Sequence, residues 1–214
     1  MNHLDRAKGR LAALLSPAQR AELALMTLTT VWEAALEATA GVAILTADPR
    51  VRVLLGPSAD VIEESAEAHG LNGQLTAAVA RLSSDGTLRG GPLLILHADL
   101  PLATVESIRE FVAYSPGPNS ATLVRSGDGG TNAMLLWPAD GMELAYGSGS
   151  AAKHEANALA AGRRVAWCES AGLTLDLDMP VDLAALLARP GGADTLAGKA
   201  LTAMDVVGKL GATE

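Results

Sequence analysis

Three carboxylates in two short stretches are the residues of this chain best suited to chemistry. Asp99 follows Leu93–His97, a run that reads as a short buried strand and is stopped by Pro101. A carboxylate at the carboxyl end of a parallel strand stands where open α/β sheets place their ligands. The same position also suits a turn or cap residue. Asp176 and Asp178 sit in Thr174–Asp178, where they alternate with Leu175 and Leu177. In a strand this alternation turns both aspartates to one face, roughly 6.5–7 Å apart, and both leucines to the other. Two such carboxylates repel unless a cation, solvent or a proton relieves them. Magnesium takes oxygen ligands from one or two carboxylates together with phosphate. Asp99 brought beside the pair would complete a three-carboxylate metal site; a solvated edge strand shows the same spacing.

Two glycine-rich loops could hold anions. Gly129-Gly130-Thr131-Asn132 offers close backbone approach and a hydroxyl just before a strand. Gly147-Ser148-Gly149-Ser150 opens a helix, where free N–H groups and the helix dipole favour a phosphate or carboxylate. Neither follows the Walker pattern, which also needs Gly-Lys-Ser/Thr; each also reads as a plain turn. Lys8, with Arg6 and Arg10, could neutralise phosphate or form a solvated face. His154 lies four residues after Ser150 and so shares its helix face; it reads as a ligand contact or as an ordinary half-buried helix histidine. His97 reads as a satisfied core histidine and Cys168 as packing.

The elements that must position these groups alternate in type. Ser16-Pro17-Ala18-Gln19 is a helix start with a cap, a first-turn proline and a capping box, and the helix should run to about Thr39 before Gly41. Leu25, Leu28, Trp32 and Leu36 recur at helical spacing, which makes Trp32 a core residue. Val42–Thr46 reads as a strand, 51–55 as either a short helix or an irregular turn, and Ala59–Glu63 as a weak strand. Asn72 can cap a helix over 73–82. Further helices are expected over 105–114, 151–161, 181–188 and 195–207. Further strands are expected over 121–124, 133–137, 164–168 and 174–177. Such alternation predicts one α/β domain spanning residues 1–214, with a mostly parallel sheet.

Composition narrows the function. Of 214 residues, 49% are apolar, enough for a sizeable core, and with only 3% aromatic that core must be aliphatic. A net charge of −8 argues against a general nucleic-acid binder. The single cysteine excludes an internal disulfide and a cysteine-based zinc site. No run approaches a membrane span and the N-terminus lacks a signal-peptide pattern, so the expectation is a cytoplasmic protein with no membrane or nucleic-acid partner.

Together these pieces resemble the guanylyltransferases that activate 2-phospholactate or phosphoenolpyruvate in deazaflavin coenzyme (F-420) biosynthesis, relatives of the molybdenum-cofactor guanylyltransferases. The resemblance rests on Asp5–Leu11, on Leu71-Asn72 and on Ala98-Asp99-Leu100-Pro101. It continues through Gly129-Gly130-Thr131-Asn132-Ala133, then Tyr146–Ser150 with His154. It closes on Asp176-Leu177-Asp178-Met179-Pro180 with Asp182-Leu183. It implies a Rossmann-like nucleotidyltransferase fold and transfer of GMP from GTP to a small phospho-acid with release of pyrophosphate. Asp99, Asp176 and Asp178 would hold Mg2+ against the nucleotide phosphates. Thr131, Gly147 and Ser150, with His154 nearby, would hold the phospho-acid. Lys8 would lie on the triphosphate or the attacking phosphate, and Asn72 would help bind the nucleoside. A homodimer stays open.

Two departures from the family pattern carry expectations. The family opens with a hydrophobic strand just before the Lys8 region, and here Met1 falls where it should end. Either the protein starts further upstream, or it lacks a strand that supports the nucleotide site. Met179 and Val181 flank Pro180 where polar residues are usual, so the helix that follows should lose its cap. Other readings are a nucleotidyltransferase acting on a sugar phosphate or molybdopterin, and a non-catalytic nucleotide-binding protein if the first strand is truly absent.

Overall fold

The computed structural model describes Leu4 and residues 7–211; Met1, Asp5 and Arg6 of the sequence reading lie outside the described residues. After a single 3-10 turn at Gly9–Leu11, helix α1 spans Pro17–Ala38, begun as predicted by Ser16 and Gln19, which bond each other's backbone N–H groups. Trp32 is buried, whereas Leu36 faces solvent. Strand β1 (Ala43–Leu45) leads through helix α2 (Pro49–Leu55) to β2 (Asp60–Ile62) and helix α3 (Gly70–Ser84). The undecided segment is therefore a helix, begun by Asp48, whose side chain accepts the Arg50 N–H, and by Pro49. Then follow β3 (Leu93–Leu96), α4 (Val105–Ala113), β4 (Ser120–Arg125), β5 (Thr131–Trp137), α5 (Ser150–Ala160) and β6 (Arg164–Trp167). The chain closes with α6 (Pro180–Ala188), α7 (Leu196–Ala203) and α8 (Val206–Gly211). The single tail helix expected over 195–207 is broken at Asp205, whose backbone is left-handed.

The strands form two sheets. β1 and β2 pair in parallel, and the other four lie in the order β3-β5-β4-β6. Strands β3, β4 and β6 run in one direction, as expected of a mostly parallel sheet, and β5 runs against them. Sequence alternation could not show this. The loop between β4 and β5 is only 126–130, too short for a crossover, so it can close only a hairpin. Among the described residues no strand precedes α1, and β1 and β3 are not paired with each other.

Both faces of the four-stranded sheet are covered. Val124, Ala133 and Leu135 pack against α1 and α4 through Val31, Ala35, Ile108 and Phe111. Leu123, Met134 and Leu136 pack on the other face with Tyr146 and with Ala158 of α5. The predicted strand over 174–177 is not one: the segment begins in a bend at Thr174 and joins no ladder. Leu177 still turns into a core, shared with Leu11, Leu183, Leu186 and Leu201. The cap expected to be lost from α6 is replaced from within its first turn, where the Asp182 carboxylate accepts the N–H groups of Met179 (2.6 Å) and Asp178 (3.0 Å). No helix among the described residues is long and apolar enough to cross a membrane.

Candidate active site

Asp99 leaves the carboxyl end of β3, where one more hydrogen bond, His97 N–H to the Asn132 carbonyl (2.9 Å), holds the chain against β5 before it turns away. The Thr174–Asp178 segment is fixed by side chains instead of a ladder. The Asn132 amide donates to the Thr174 carbonyl (2.8 Å) and to Asp176 Oδ1 (3.3 Å). Lys8 Nζ donates to the Leu177 carbonyl (2.7 Å). These ties bring Asp99, Asp176 and Asp178 together, with one carboxylate oxygen of each within 4.8 Å of the others.

Lys8 is the counter-charge. Its backbone is left-handed (φ 52°), and this turn sends a side chain only 4% exposed into the carboxylate cluster. Nζ stands 3.4 Å from Asp99 Oδ2 and 3.9 Å from Asp178 Oδ1. Arg10, largely exposed, stands 4.0 Å from Asp178 Oδ2 at the rim.

The three carboxyls titrate differently because one cation serves three anions. Burial works against ionised Asp99 more than any other influence, but the Lys8 charge, the His97 ring and the Lys8 hydrogen bond together hold its carboxyl below the usual value. Asp176 is pushed up to about 6, first by burial and then by the Asp99 charge, with the Asn132 hydrogen bond acting the other way. Asp178 is also raised, by burial and the Asp99 charge, against Lys8 and Arg10. Asp99 Oδ1 is buried and has no hydrogen-bond partner. An orphaned carboxylate oxygen beside two reluctantly ionised neighbours, all hard oxygen donors, fits a divalent cation.

The second predicted group also comes together. Thr131 opens β5, Ser150 opens α5, and His154 lies one turn further along α5. Ser150 Oγ donates to Thr131 Oγ1 (3.2 Å), and that oxygen lies 2.9 Å from His154 Nδ1. His154 Nε2 accepts the Ala145 N–H (2.9 Å). The ring is fully buried, and burial, then the charges of His97 and Lys153, lower it to about 4. Gly147, Ser148 and Gly149 remain exposed just before α5. Gly147 has φ 124°, which an L side chain rarely adopts. The Ala151 N–H bonds the Gly129 carbonyl (3.2 Å), which staples the two predicted loops together.

Two sequence expectations need correction here. Asn72 does not cap α3, which begins earlier, after His69; it lies inside the first turn. Both of its amide atoms are taken by Tyr146: Oδ1 accepts the Tyr146 N–H (2.7 Å), and Nδ2 donates to the Tyr146 carbonyl (3.0 Å). His97 is not a satisfied core histidine. Its Nε2 is buried without a partner, and its ring centroid lies 5.3 Å from that of Tyr146. Sequence reasoning gave no role to Asn132, Tyr146 or Asp182. All three fall inside the stretches singled out above, but their partners lie 42, 74 and 4 residues away. Only for Asp182 is the spacing itself a signal.

A layered α/β fold with carboxylates and a buried lysine gathered at a strand's carboxyl end, beside a glycine-rich helix start, defines a nucleotidyltransferase. Comparison with known proteins makes this specific. The family model "Guanylyl transferase CofC like" matches residues 1–208, and the chain belongs to that family. It is 36% identical over 194 residues to a phosphoenolpyruvate guanylyltransferase of Sphaerobacter thermophilus, covering 86% of this chain and 87% of that one. It is 34% identical over 187 residues to a 2-phospho-L-lactate guanylyltransferase of Halorubrum lacusprofundi, covering 86% and 80%. It is 29% identical over 194 residues to a 3-phospho-D-glycerate guanylyltransferase of Phenylobacterium zucineum, covering 88% of each. In fold it is similar to a Desulfovibrio desulfuricans protein described as a nucleotide-diphospho-sugar transferase, with a TM-score of 0.72 at 15% identity over 92% of this chain and 88% of that one.

Proposed function

We propose that this protein transfers GMP from GTP to a small phosphorylated acid, 2-phospho-L-lactate or phosphoenolpyruvate, with release of pyrophosphate, in the cytoplasm and as a step of coenzyme F-420 biosynthesis. The observation that carries this reading is the convergence of Asp99, Asp176 and Asp178 around Lys8, with Asn132, the neighbour of Thr131, bonded to Asp176. Family membership and the names of the relatives support the guanylyl donor and the acidic acceptor.

A phosphate oxygen of the acid attacks the α-phosphorus of GTP. The bond from that phosphorus to the oxygen bridging to the β-phosphorus breaks, and pyrophosphate departs with that oxygen. The attacking phosphate is already anionic at neutral pH, so the reaction asks for no general base. Positioning and charge stabilisation are what remain for the protein to supply. Asp99, Asp176 and Asp178 would hold Mg2+, which when bound neutralises phosphate charge. Lys8, held by the Leu177 carbonyl and two of the carboxylates, keeps a cation beside the reacting phosphates. Gly147 and Ser150 present the start of α5 to the acid, and Thr131 supplies a hydroxyl.

The test is pyrophosphate release with GTP and Mg2+, offering phosphoenolpyruvate, 2-phospho-L-lactate and 3-phosphoglycerate in turn. One acid should support turnover, and Asp176→Asn should reduce it at least about a thousandfold, as loss of a main electrostatic group does, while the fold persists. Undiminished turnover in Asp176→Asn would remove the carboxylate cluster from the reaction.

A further inference from the structure

Ala145 and Tyr146 lead directly into Gly147, yet they lie in no sheet and no helix. Three of their four polar backbone groups are satisfied by two side chains from elements far apart in sequence. From α3, Asn72 bonds both the N–H and the carbonyl of Tyr146, as a neighbouring strand would. From α5, His154 accepts the Ala145 N–H. The Tyr146 ring is then packed edge-on against His154, with centroids 4.6 Å apart. Both ring nitrogens of His154 are engaged within the protein, and Asn72 spends its oxygen and one of its two N–H groups on Tyr146.

His154 also decides what Thr131 can do. Because Nε2 accepts the Ala145 N–H, a neutral ring carries its proton on Nδ1 and donates it to Thr131 Oγ1. Ser150 Oγ donates to the same oxygen. With both acceptor positions of that oxygen filled, the proton of the buried Thr131 hydroxyl is the one left to donate, the polarity an anionic acceptor requires.

We propose that Asn72 and His154 are positioning residues that clamp the Ala145–Gly149 loop between α3 and α5, and that this clamp, without touching either substrate, sets the acceptor side of the site. The second half rests on the guanylyltransferase reading; the clamp itself does not. The assignment moves Asn72 from the nucleoside to the loop, and His154 from a substrate contact to the residue that aims Thr131.

The experiment compares the full chain with Asn72→Ala, His154→Gln and His154→Asn, after melting curves establish that each folds. The first readout is amide hydrogen exchange. Losing one hydrogen bond of about 1 kcal/mol accelerates opening about fivefold. Exchange at Tyr146 in Asn72→Ala, and at Ala145 in His154→Asn, should rise at least that much, with the β3–β6 amides unchanged, while His154→Gln, whose amide reaches the Nε2 position, should keep Ala145 slow. The second readout is steady-state kinetics with GTP and the preferred phospho-acid. Asn72→Ala and His154→Gln should raise the acid's KM about tenfold and leave the KM for GTP within about twofold. His154→Asn places its amide near the Nδ1 position, so it should recover most of the acid's KM while leaving Ala145 exchange fast. Unchanged exchange in Asn72→Ala and His154→Asn overturns the clamp. A rise in the KM for GTP equal to that for the acid overturns its confinement to the acceptor side. Fast exchange in the variants of a protein that transfers no guanylyl group would leave the clamp standing and remove the catalytic reading.

Discussion

At the scale of single residues, the site is a balance between one buried cation and three anions. Lys8 is nearest Asp99 and cannot satisfy Asp176, which stays reluctant to ionise. A divalent cation that displaces the Asp176 proton relieves all three carboxylates together. Mg2+ should therefore raise the melting temperature of the wild type, and Asp176→Asn should lose that increment; a calorimetric scan with and without chelator measures both. His154 imposes a pH dependence of its own. Its ring, lowered to about 4 in the folded protein, resists a proton that the unfolded chain accepts near pH 6.5. Stability from this residue is full above pH 6.5 and falls as pH drops from 6.5 toward 4. Asp176, with a raised value, contributes the opposite slope in much of that window, so the quantity to measure is the difference in melting temperature between wild type and His154→Gln across it. That difference should shrink as pH falls.

At the scale of elements, short pieces of irregular backbone do the positioning. Thr174–Asp178 has the alternation of a strand but no partner strand, and Asn132, Lys8 and Asp182 supply the bonds a ladder would give. Asp182 both starts α6 and holds the Asp178 N–H, so helix capping and the placing of Asp178 share one carboxylate. Asp182→Ala should cost about 1 kcal/mol, the usual value of a lost N-terminal cap, and should also weaken the Mg2+-induced rise in melting temperature. A capping loss alone would leave the Mg2+ effect intact.

For the whole molecule, the C-terminal helices brace the turn that carries Lys8. Leu11, just after Lys8, and Leu177, just before Asp178, are buried in one cluster with Leu183, Leu186, Leu201 and Val206. Gly198 of α7 fits against the backbone at Gly192, where an added Cβ would stand 2.1 Å from the Gly192 carbonyl oxygen. The C-terminal helices thus pack closely on one another and, through Leu183, Leu186 and Leu201, on Leu11 beside Lys8. Leu11→Ala should destabilise the protein by about 2–5 kcal/mol, as large-to-small core changes do, and should lower turnover through displaced Lys8. Chemical denaturation and the pyrophosphate assay read the two effects separately.

The sequence by itself determined the α/β class, the ends of α1 and α4 and the burial of Trp32. Each of these is written in local signals: caps, period and residue type. Ser16 and Gln19, or Thr104 ahead of α4, act across one helical turn and need nothing from the rest of the chain. Only the tertiary structure decided that 174–178 joins no ladder, that Asn72 serves Tyr146, and that His154 is spent within the protein. Those outcomes depend on backbone groups brought together from 9 to 74 residues away. An extended segment becomes a strand only when another edge lies beside it, and a side-chain amide becomes a cap or a clamp according to which unpaired backbone group it meets. Hydrogen-bond partners of that kind are set by packing, and packing is a property of the folded chain.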